Sequence, residues 1–153
     1  MDDVDRRILR VLQEAADLPV AEIAERVGLS ASPCWRRIQK LEAEGVIERR
    51  VALLNPEKMN VGVTVFVAIR TSQHDAQWLR DFAERVTRIP EVVELYRMSG
   101  EIDYMMRVVV PDIKAYDDVY KRLIAAVPLF DVSSSFAMET LKFTTALPVS
   151  YAR

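Results

Sequence analysis

The residues of this sequence most able to do chemistry are three bases, Arg36, Arg37 and Lys40. Residues 26–41 hold four bases and no acid, although the whole chain has a formal net charge of −2. Cationic side chains pair with phosphate, and arginine or an amide such as Gln39 bonds base edges in the DNA major groove. The pattern therefore predicts DNA contact, with Arg36 or Gln39 on bases and Lys40 on phosphate.

Two serines and a tryptophan accompany these bases. Ser30 and Ser32 stand where a helix is expected to start, so their hydroxyl and backbone N–H groups are candidates for phosphate; Ser32 is alternatively only the N-cap. Trp35 is expected to pack on a thymine methyl group or the sugar-phosphate backbone, or else against the preceding helix. The candidate DNA-binding residues are Ser30, Ser32, Trp35, Arg36, Arg37, Gln39 and Lys40.

Three short helices are predicted to position this basic face. Apolar residues recur at helical spacing over residues 4–15 and again over residues 19–27, and Gly28 can take the left-handed conformation that ends a helix. A third helix follows this turn and carries the bases. This is the pattern of a helix-turn-helix, whose recognition helix enters the major groove while the preceding helix crosses the DNA backbone.

The third helix is predicted to begin with Ser32 as N-cap and Pro33 at its first position, and to end at Gly45. Its inner face is formed by apolar residues three or four positions apart, namely Cys34, Ile38 and Leu41. The polar residues listed above then lie on or near its outer face. Cys34 is interpreted as a small core residue rather than a redox-sensing thiol.

The hydrophobic period changes in the second half of the chain. Residues 46–54 are predicted to be extended, and Asn55-Pro56 marks a domain boundary. Further strands are predicted at 61–69, 92–98, 103–110 and 131–147, with a helix after the first and another, capped by Asp112, after the third. The order βαββαβ is that of a ferredoxin-like domain, one antiparallel sheet with two helices on one face.

The fold class is therefore α+β: an N-terminal three-helix winged helix-turn-helix domain, then a ferredoxin-like βαββαβ domain. The expected ranges are 1–50 for the DNA-binding domain, 51–60 for a linker strand or hinge, and 61–153 for the ferredoxin-like domain. Apolar residues occupy both faces of the strand at 61–69. A second copy of the chain is expected to cover the open sheet face, which predicts at least a homodimer.

Composition argues against several other classes of protein. One cysteine and one histidine, Cys34 and His74, lie in different halves of the chain, which disfavours a disulfide framework or a Cys/His zinc site. His74 is expected to be a surface residue. We find no catalytic triad, metal cluster or Gly-rich phosphate loop, so neither an enzyme nor a cofactor or metal is predicted. Without an apolar run of about 18 residues or a signal peptide, a cytoplasmic protein without a membrane segment is expected.

The order and spacing of several motifs resemble the Lrp/AsnC (feast/famine) family of transcriptional regulators, over essentially the whole chain. These motifs are Asp5 to Leu9, Val27 to Ser30, Ser32-Pro33-Cys34 with Arg37 and Leu41-Glu42, Leu53 to Pro56, and Ser99 to Tyr104. More narrowly, the chain is similar to the DecR-like branch, whose members respond to cysteine. The residues of that narrower likeness are Pro33-Cys34-Trp35, Val51 to Lys58 and Ser133 to Pro148.

The resemblance implies a DNA-reading domain followed, at 61–153, by a RAM/ACT-like effector-binding and oligomerisation domain. That second domain would bind an amino acid and assemble dimers, often into octamers. It places the effector-binding residues at Ser99, Gly100, Glu101, Asp103, Ser133, Ser135 and Phe136. Asp103 is expected to pair with the α-ammonium group of the amino acid; alternatively it caps amides of its own turn. Where leucine-responsive members carry bulky apolar residues in the last strand, this chain has Ser135, Phe136 and Ala137, which argues against leucine as effector.

The predicted function is a sequence-specific regulator that binds double-stranded DNA. A small amino acid, with cysteine as the first candidate, is expected to modulate its DNA binding or its assembly. The alternative is an architectural protein that wraps DNA with the same basic helices, little sequence preference and no effector.

Overall fold

The computed structural model describes residues 1–72, 75–126 and 131–152. These residues form two compact units: Met1–Leu53 together with Leu141–Arg153, and Leu54–Thr140. The expected surface position of His74 lies outside the described residues.

Three helices build the N-terminal unit: α1 (Asp3–Glu14), α2 (Val20–Val27) and α3 (Ala31–Ala43). Asp2 and Asp5 cap α1 reciprocally, because Oδ1 of Asp2 accepts from the N–H of Asp5 at 2.9 Å and Oδ2 of Asp5 accepts from the N–H of Asp2 at 3.1 Å. Gly28 ends α2 with φ of 73°, the left-handed conformation predicted for it. The helices enclose a core of Ile8, Leu9, Leu12, Ile23, Ala24, Val27, Cys34, Ile38 and Leu41, which confirms the predicted inner face of the third helix.

The start of α3 differs from the sequence prediction. Ser30 is the N-cap and Ala31 the first helical residue, so the assignment of Ser32 as N-cap and Pro33 as first residue is wrong. The backbone N–H of Cys34 already donates to the carbonyl of Ser30 at 3.3 Å. Pro33 is tolerated at the third helical position because an N–H there has no acceptor within the helix.

The C-terminal segment also differs from the prediction. The last strand, β4 (Asp131–Phe136), ends well before residue 147, so the long final strand is wrong. Residues 141–153 belong to the N-terminal unit, whereas the expected second domain includes them. They pack along α1: Gln13 accepts from the N–H of Leu147 at 2.6 Å and donates to its carbonyl at 3.2 Å, and Val149 lies against the helical core.

The second unit contains β1 (Val63–Arg70), α4 (Ala76–Val86), β2 (Val92–Arg97), β3 (Tyr104–Val110), α5 (Ile113–Ala126) and β4. This order confirms the ferredoxin-like βαββαβ topology, and the sheet is antiparallel with strand order β2-β3-β1-β4. As predicted, the carboxylate of Asp112 accepts from a backbone N–H in the first turn of α5. Phe82 of α4 and Val119 and Leu123 of α5 pack with the inward residues of β1 and β3 in one core.

The opposite face of the sheet is open to solvent in a single chain. Phe66 of β1 and Tyr96 of β2 lie there and are 42% and 53% exposed. Arg107 of β3 pairs with Phe66 on one side and Glu94 on the other, and its guanidinium donates twice to Oε1 of Glu94, at 2.9 and 2.7 Å. This hydrogen bonding holds the pKa of Glu94 below its ordinary value.

The predicted extended segment at 46–54 forms no strand: residues 46 and 47 bend after α3, residues 48–54 have no regular secondary structure, and a turn at residues 56–60 follows. Within this turn, Oδ1 of Asn55 accepts from the N–H of Lys58 at 3.1 Å. The carbonyl of Pro56 accepts from the N–H of Val61 at 2.9 Å. The turn signal at Asn55-Pro56 thus corresponds to a hydrogen-bonded turn that precedes β1.

Candidate nucleic-acid interface and effector site

The outer face of α3 carries most of the side chains predicted to contact DNA. Trp35, Arg36, Gln39 and Lys40 are exposed, while the inner face of α3 fills the helical core. Trp35 is 52% exposed and is not part of the helical core. This exposure favours packing of Trp35 on DNA over packing against the preceding helix.

The polar groups of this face differ in what they already bind. Gln39 donates to Glu42 at 2.9 Å, and the ammonium of Lys40 lies 3.7 Å from the carboxylate of Glu44. Arg36 makes no hydrogen bond or ion pair with any residue that the structure describes. An exposed arginine without an internal partner keeps its full donor set for base edges or phosphate.

Arg37 faces the start of α1 instead of the outer surface. Its Nη1 lies 2.7 Å from Oδ2 of Asp2 and 2.8 Å from Oδ1 of Asp5. The backbone N–H of Asp5, with further help from Arg37, lowers the pKa of Asp2 to about 2, and the two carboxylates raise the pKa of Arg37. Arg37 therefore ties the candidate recognition helix to α1, a role the helical spacing did not reveal.

Ser30 and Ser32 are both exposed at the beginning of α3. Ser30 forms no side-chain capping bond, so its hydroxyl is not used to close the helix. The neighbouring N–H groups of the first turn have no acceptor within the helix. Phosphate contact by these two serines stays a prediction.

The predicted effector hairpin joins β2 to β3 at Ser99, Gly100 and Glu101, all of them exposed. Gly100 has φ of 121°, a conformation that residues with a side chain adopt only with strain. Asp103, at the end of this hairpin, accepts from the backbone N–H of Thr71 through Oδ2 at 2.8 Å. Thr71 follows β1, 32 positions from Asp103, so this contact is not the predicted capping of the turn's own amides. It occupies one carboxylate oxygen, and ligand binding by Asp103 stays a prediction.

The predicted opposing wall is divided between the two faces of the sheet. Ser133 pairs with Ala68 and Ser135 with Phe66, so both serines share the open face. Phe136 pairs with the buried Val65 and therefore lies on the helix side, where its ring is 5.3 Å from that of Tyr116 in an edge arrangement. The structure does not bring Phe136 together with the two serines in this unit.

Two charged residues beside this site were absent from the predicted set. Arg70 ends β1 directly opposite Asp131, the first residue of β4, and both are exposed. Their proximity depends on the pairing of distant strands. One signal in the sequence indicated the orientation of Arg70. The alternation along the strand at 61–69 assigns residue 70 to the same face as Phe66 and Ala68.

No helix in the described ranges has the length and apolar character that a membrane span requires. Among the described side chains, no group of three or more His, Cys, Asp or Glu residues is arranged to hold a metal ion.

The chain combines a helix-turn-helix that has a basic outer face with an α+β domain that has a polar hairpin. This combination defines a DNA-binding protein that carries a ligand-sensing module. Family models agree: "Winged helix-turn-helix DNA-binding" matches residues 1–48, and "Lrp/AsnC ligand binding domain" matches residues 64–147. The chain belongs to the Lrp/AsnC family of transcriptional regulators. This confirms the resemblance, the fold class and the prediction of a DNA-binding regulator with a ligand-binding domain.

Individual relatives cover nearly the whole chain. The DNA-binding transcriptional activator DecR of Escherichia coli K12 is 49% identical over 150 residues, which are 97% of this chain and 99% of DecR. The crystal structure of an AsnC family regulator from Agrobacterium tumefaciens is 61% identical, with a TM-score of 0.98 and full coverage of both chains. A regulator from Neisseria meningitidis in complex with L-methionine is 37% identical, with a TM-score of 0.92 and 97% coverage of each chain.

Proposed function

We propose that this regulator recognises specific DNA sites through α3 and that a small amino acid bound at the sheet unit modulates DNA binding or assembly. One observation carries the proposal: the same chain joins an exposed basic helix face, with Arg36 unpaired among the described residues, to a polar hairpin at the sheet end. Arg36 or Gln39 would contact base edges, and Lys40 would contact phosphate.

Cysteine is our first candidate for the effector. The identity with DecR supports it, as does the resemblance to the cysteine-responsive branch, while the L-methionine complex of the Neisseria regulator supports a sulfur-containing amino acid more broadly. In the proposed site, Ser99, Gly100 and Glu101 line one side and Asp103 binds the ammonium group. Oδ2 of Asp103 already bonds Thr71, so Oδ1 would serve the ligand.

The assembly we propose is a homodimer formed through the open sheet face, with further association to an octamer. An amino acid that binds one arrangement of dimers more tightly than another shifts the population toward that arrangement. The spacing between recognition helices then changes, and so does the set of half-sites engaged together. We further propose a cytoplasmic location, where DNA is accessible, and no catalytic activity; the relatives are transcriptional regulators.

Selection from fragmented genomic DNA tests this function. Purified protein is incubated with the fragments, with and without L-cysteine, L-methionine and the other common amino acids, and recovered DNA is sequenced. The proposal expects a few enriched sites whose recovery changes with one amino acid. Uniform recovery, with steep salt dependence and no response to any amino acid, would instead indicate the architectural protein.

Two variants separate the proposed sites. Arg36→Ala should lower affinity for an enriched site and relax its discrimination, because a base-reading arginine contributes to both. Asp103→Ala should retain DNA affinity and lose the amino-acid response. Loss of DNA binding in Asp103→Ala, with the fold intact, would contradict this division of roles.

A further inference from the structure

Arg70 and Asp131 form a pair of opposite charges at one end of the open sheet face. They are direct partners across β1 and β4, and direct partners in an antiparallel sheet project to the same face, with Cβ atoms about 5 Å apart. Ser133 and Ser135 follow Asp131 on that same face. The predicted ligand-binding serines and this charge pair thus share one surface.

Asp103 lies at the same end of the sheet, on the other side of β1. Its backbone N–H donates to the carbonyl of Ile69 at 2.9 Å, and its carboxylate bonds the N–H of Thr71. Arg70 is the residue between these two contacts in the chain. The end of β1 therefore has a carboxylate on each side: Asp103 directly precedes β3, and Asp131 is the first residue of β4.

The charges of Arg70 and Asp131 are not used elsewhere in the fold. Within residues 1–72, 75–126 and 131–152, neither side chain makes an ion pair or hydrogen bond, and both are exposed. By contrast, Arg107 on the same face is committed to Glu94. An exposed guanidinium with all its donors available fits a carboxylate through two parallel bonds.

An α-amino acid carries a carboxylate and an ammonium on one carbon, so a site that binds it well presents both a cation and an anion. The predicted effector residues supply carboxylates and hydroxyls but no cation. We infer that Arg70 binds the α-carboxylate of the effector, with Asp103 and Asp131 on either side to receive the ammonium. This inference rests on the proposed function, because it assigns a role within the proposed amino-acid site.

The inference makes the carboxylate of the ligand essential. L-cysteinamide and L-methioninamide keep the ammonium and side chain of their parent amino acids but lack the negative charge. The wild-type protein should bind the parent amino acid and bind the amide far more weakly. The ratio of the affinities for the amino acid and its amide measures what Arg70 contributes to binding.

The experiment is calorimetric titration of the full-length chain, kept anaerobic, with each amino acid and its amide. Arg70→Gln should bind the amino acid roughly 10- to 100-fold more weakly, the effect of losing a charged hydrogen-bonded contact. Its affinity for the amide should be unchanged. Arg70→Lys should fall between, because lysine keeps the charge without the planar pair of donors.

Arg88→Gln is the matched control, since Arg88 is also an exposed arginine of this unit but lies in the turn after α4, paired with Glu84. It should bind like the wild type, and both Arg70 variants should keep the wild-type thermal unfolding temperature. If the wild type binds an amino acid and Arg70→Gln binds it equally well, the inference is overturned while the proposed function stands. If the wild type binds none of the common amino acids, the effector role itself fails.

Discussion

Arg36 and Arg37 are neighbours in the sequence, but α3 gives their guanidinium groups different surroundings. Arg36 points to solvent, while Arg37 bridges two carboxylates at the start of α1. Asp5 is only 8% exposed, so its carboxylate relies on hydrogen bonds from the protein in place of water. Arg36 is thus available for DNA, whereas Arg37 is placed to hold α3 against α1.

Arg37→Ala should destabilise the N-terminal unit. Removing the guanidinium leaves the largely buried carboxylate of Asp5 with fewer partners, which costs about 1–2 kcal/mol. Chemical denaturation measures this change. Arg36→Ala, the matched control, should alter stability by less than about 0.5 kcal/mol and weaken DNA binding instead. Equal stability of the two variants would contradict the assignment of Arg37.

Asp2 should make stability depend on pH at the acidic end. Its folded pKa of about 2 lies below the ordinary value of 3.8, so its ionised form stabilises the fold above about pH 4. That contribution is lost as pH falls toward 2. Asp2→Asn retains a capping oxygen but cannot ionise, so the loss of stability between pH 5 and pH 2.5 should be smaller than in wild type. Asp3→Asn, at an exposed neighbouring carboxylate, is the control, and an identical pH profile for all three proteins would refute the role of Asp2.

At the scale of elements, the C-terminal segment is the part that local sequence patterns describe least well. Its alternating apolar residues resemble a continuation of β4, yet the strand ends at Phe136 and residues 141–153 join α1 instead. Both the backbone N–H and the carbonyl of Leu147 bond the side chain of Gln13. The side chain of Gln13 thus makes the pair of backbone hydrogen bonds that a neighbouring strand would otherwise make.

Gln13→Ala should loosen this segment. The amide of Leu147 loses its acceptor, so its hydrogen exchange, measured by mass spectrometry or NMR, should accelerate by about an order of magnitude. Exchange in β1 and β3 should stay unchanged. Gln77→Ala, which removes a glutamine of α4 bonded to Asp81, is the control and should not affect Leu147. Unchanged exchange at Leu147 in Gln13→Ala would show that the bond does not hold the segment.

The contrast between α3 and the sheet shows what sequence can predict. Helical periodicity identified the buried face of Cys34, Ile38 and Leu41, because residues within one helix have fixed relative directions. The partner of Arg37 and the pairing of Arg70 with Asp131 depend on contacts 32 or more positions apart, which no local period encodes. Which face of the sheet Phe136 joins likewise depends on how β4 pairs with β1.

At the scale of the whole molecule, the open sheet face is the surface that a monomer leaves uncovered. Phe66 and Tyr96 are exposed there, beside the paired charges of Arg107 and Glu94. Large aromatic groups on a sheet face otherwise lie in a core or at an interface. We therefore expect a second copy of the chain to cover this face.

Phe66→Asp should convert the dimer to a monomer, because it would bury a carboxylate against the apolar partner surface. Size-exclusion chromatography with light scattering measures the mass. Phe66→Leu, which keeps an apolar side chain, should remain dimeric. A dimeric Phe66→Asp protein that unfolds at the wild-type temperature would place the interface elsewhere.

Cys34 is the chain's one cysteine, and it is fully buried in the helical core, where desolvation raises the pKa of its thiol. Thiol–disulfide exchange requires an accessible thiolate. If cysteine is the effector, the protein therefore does not store the signal as a mixed disulfide with its own thiol. Its response to cysteine should disappear on dilution or dialysis without any reductant, and should track the free amino acid rather than the cell's redox poise.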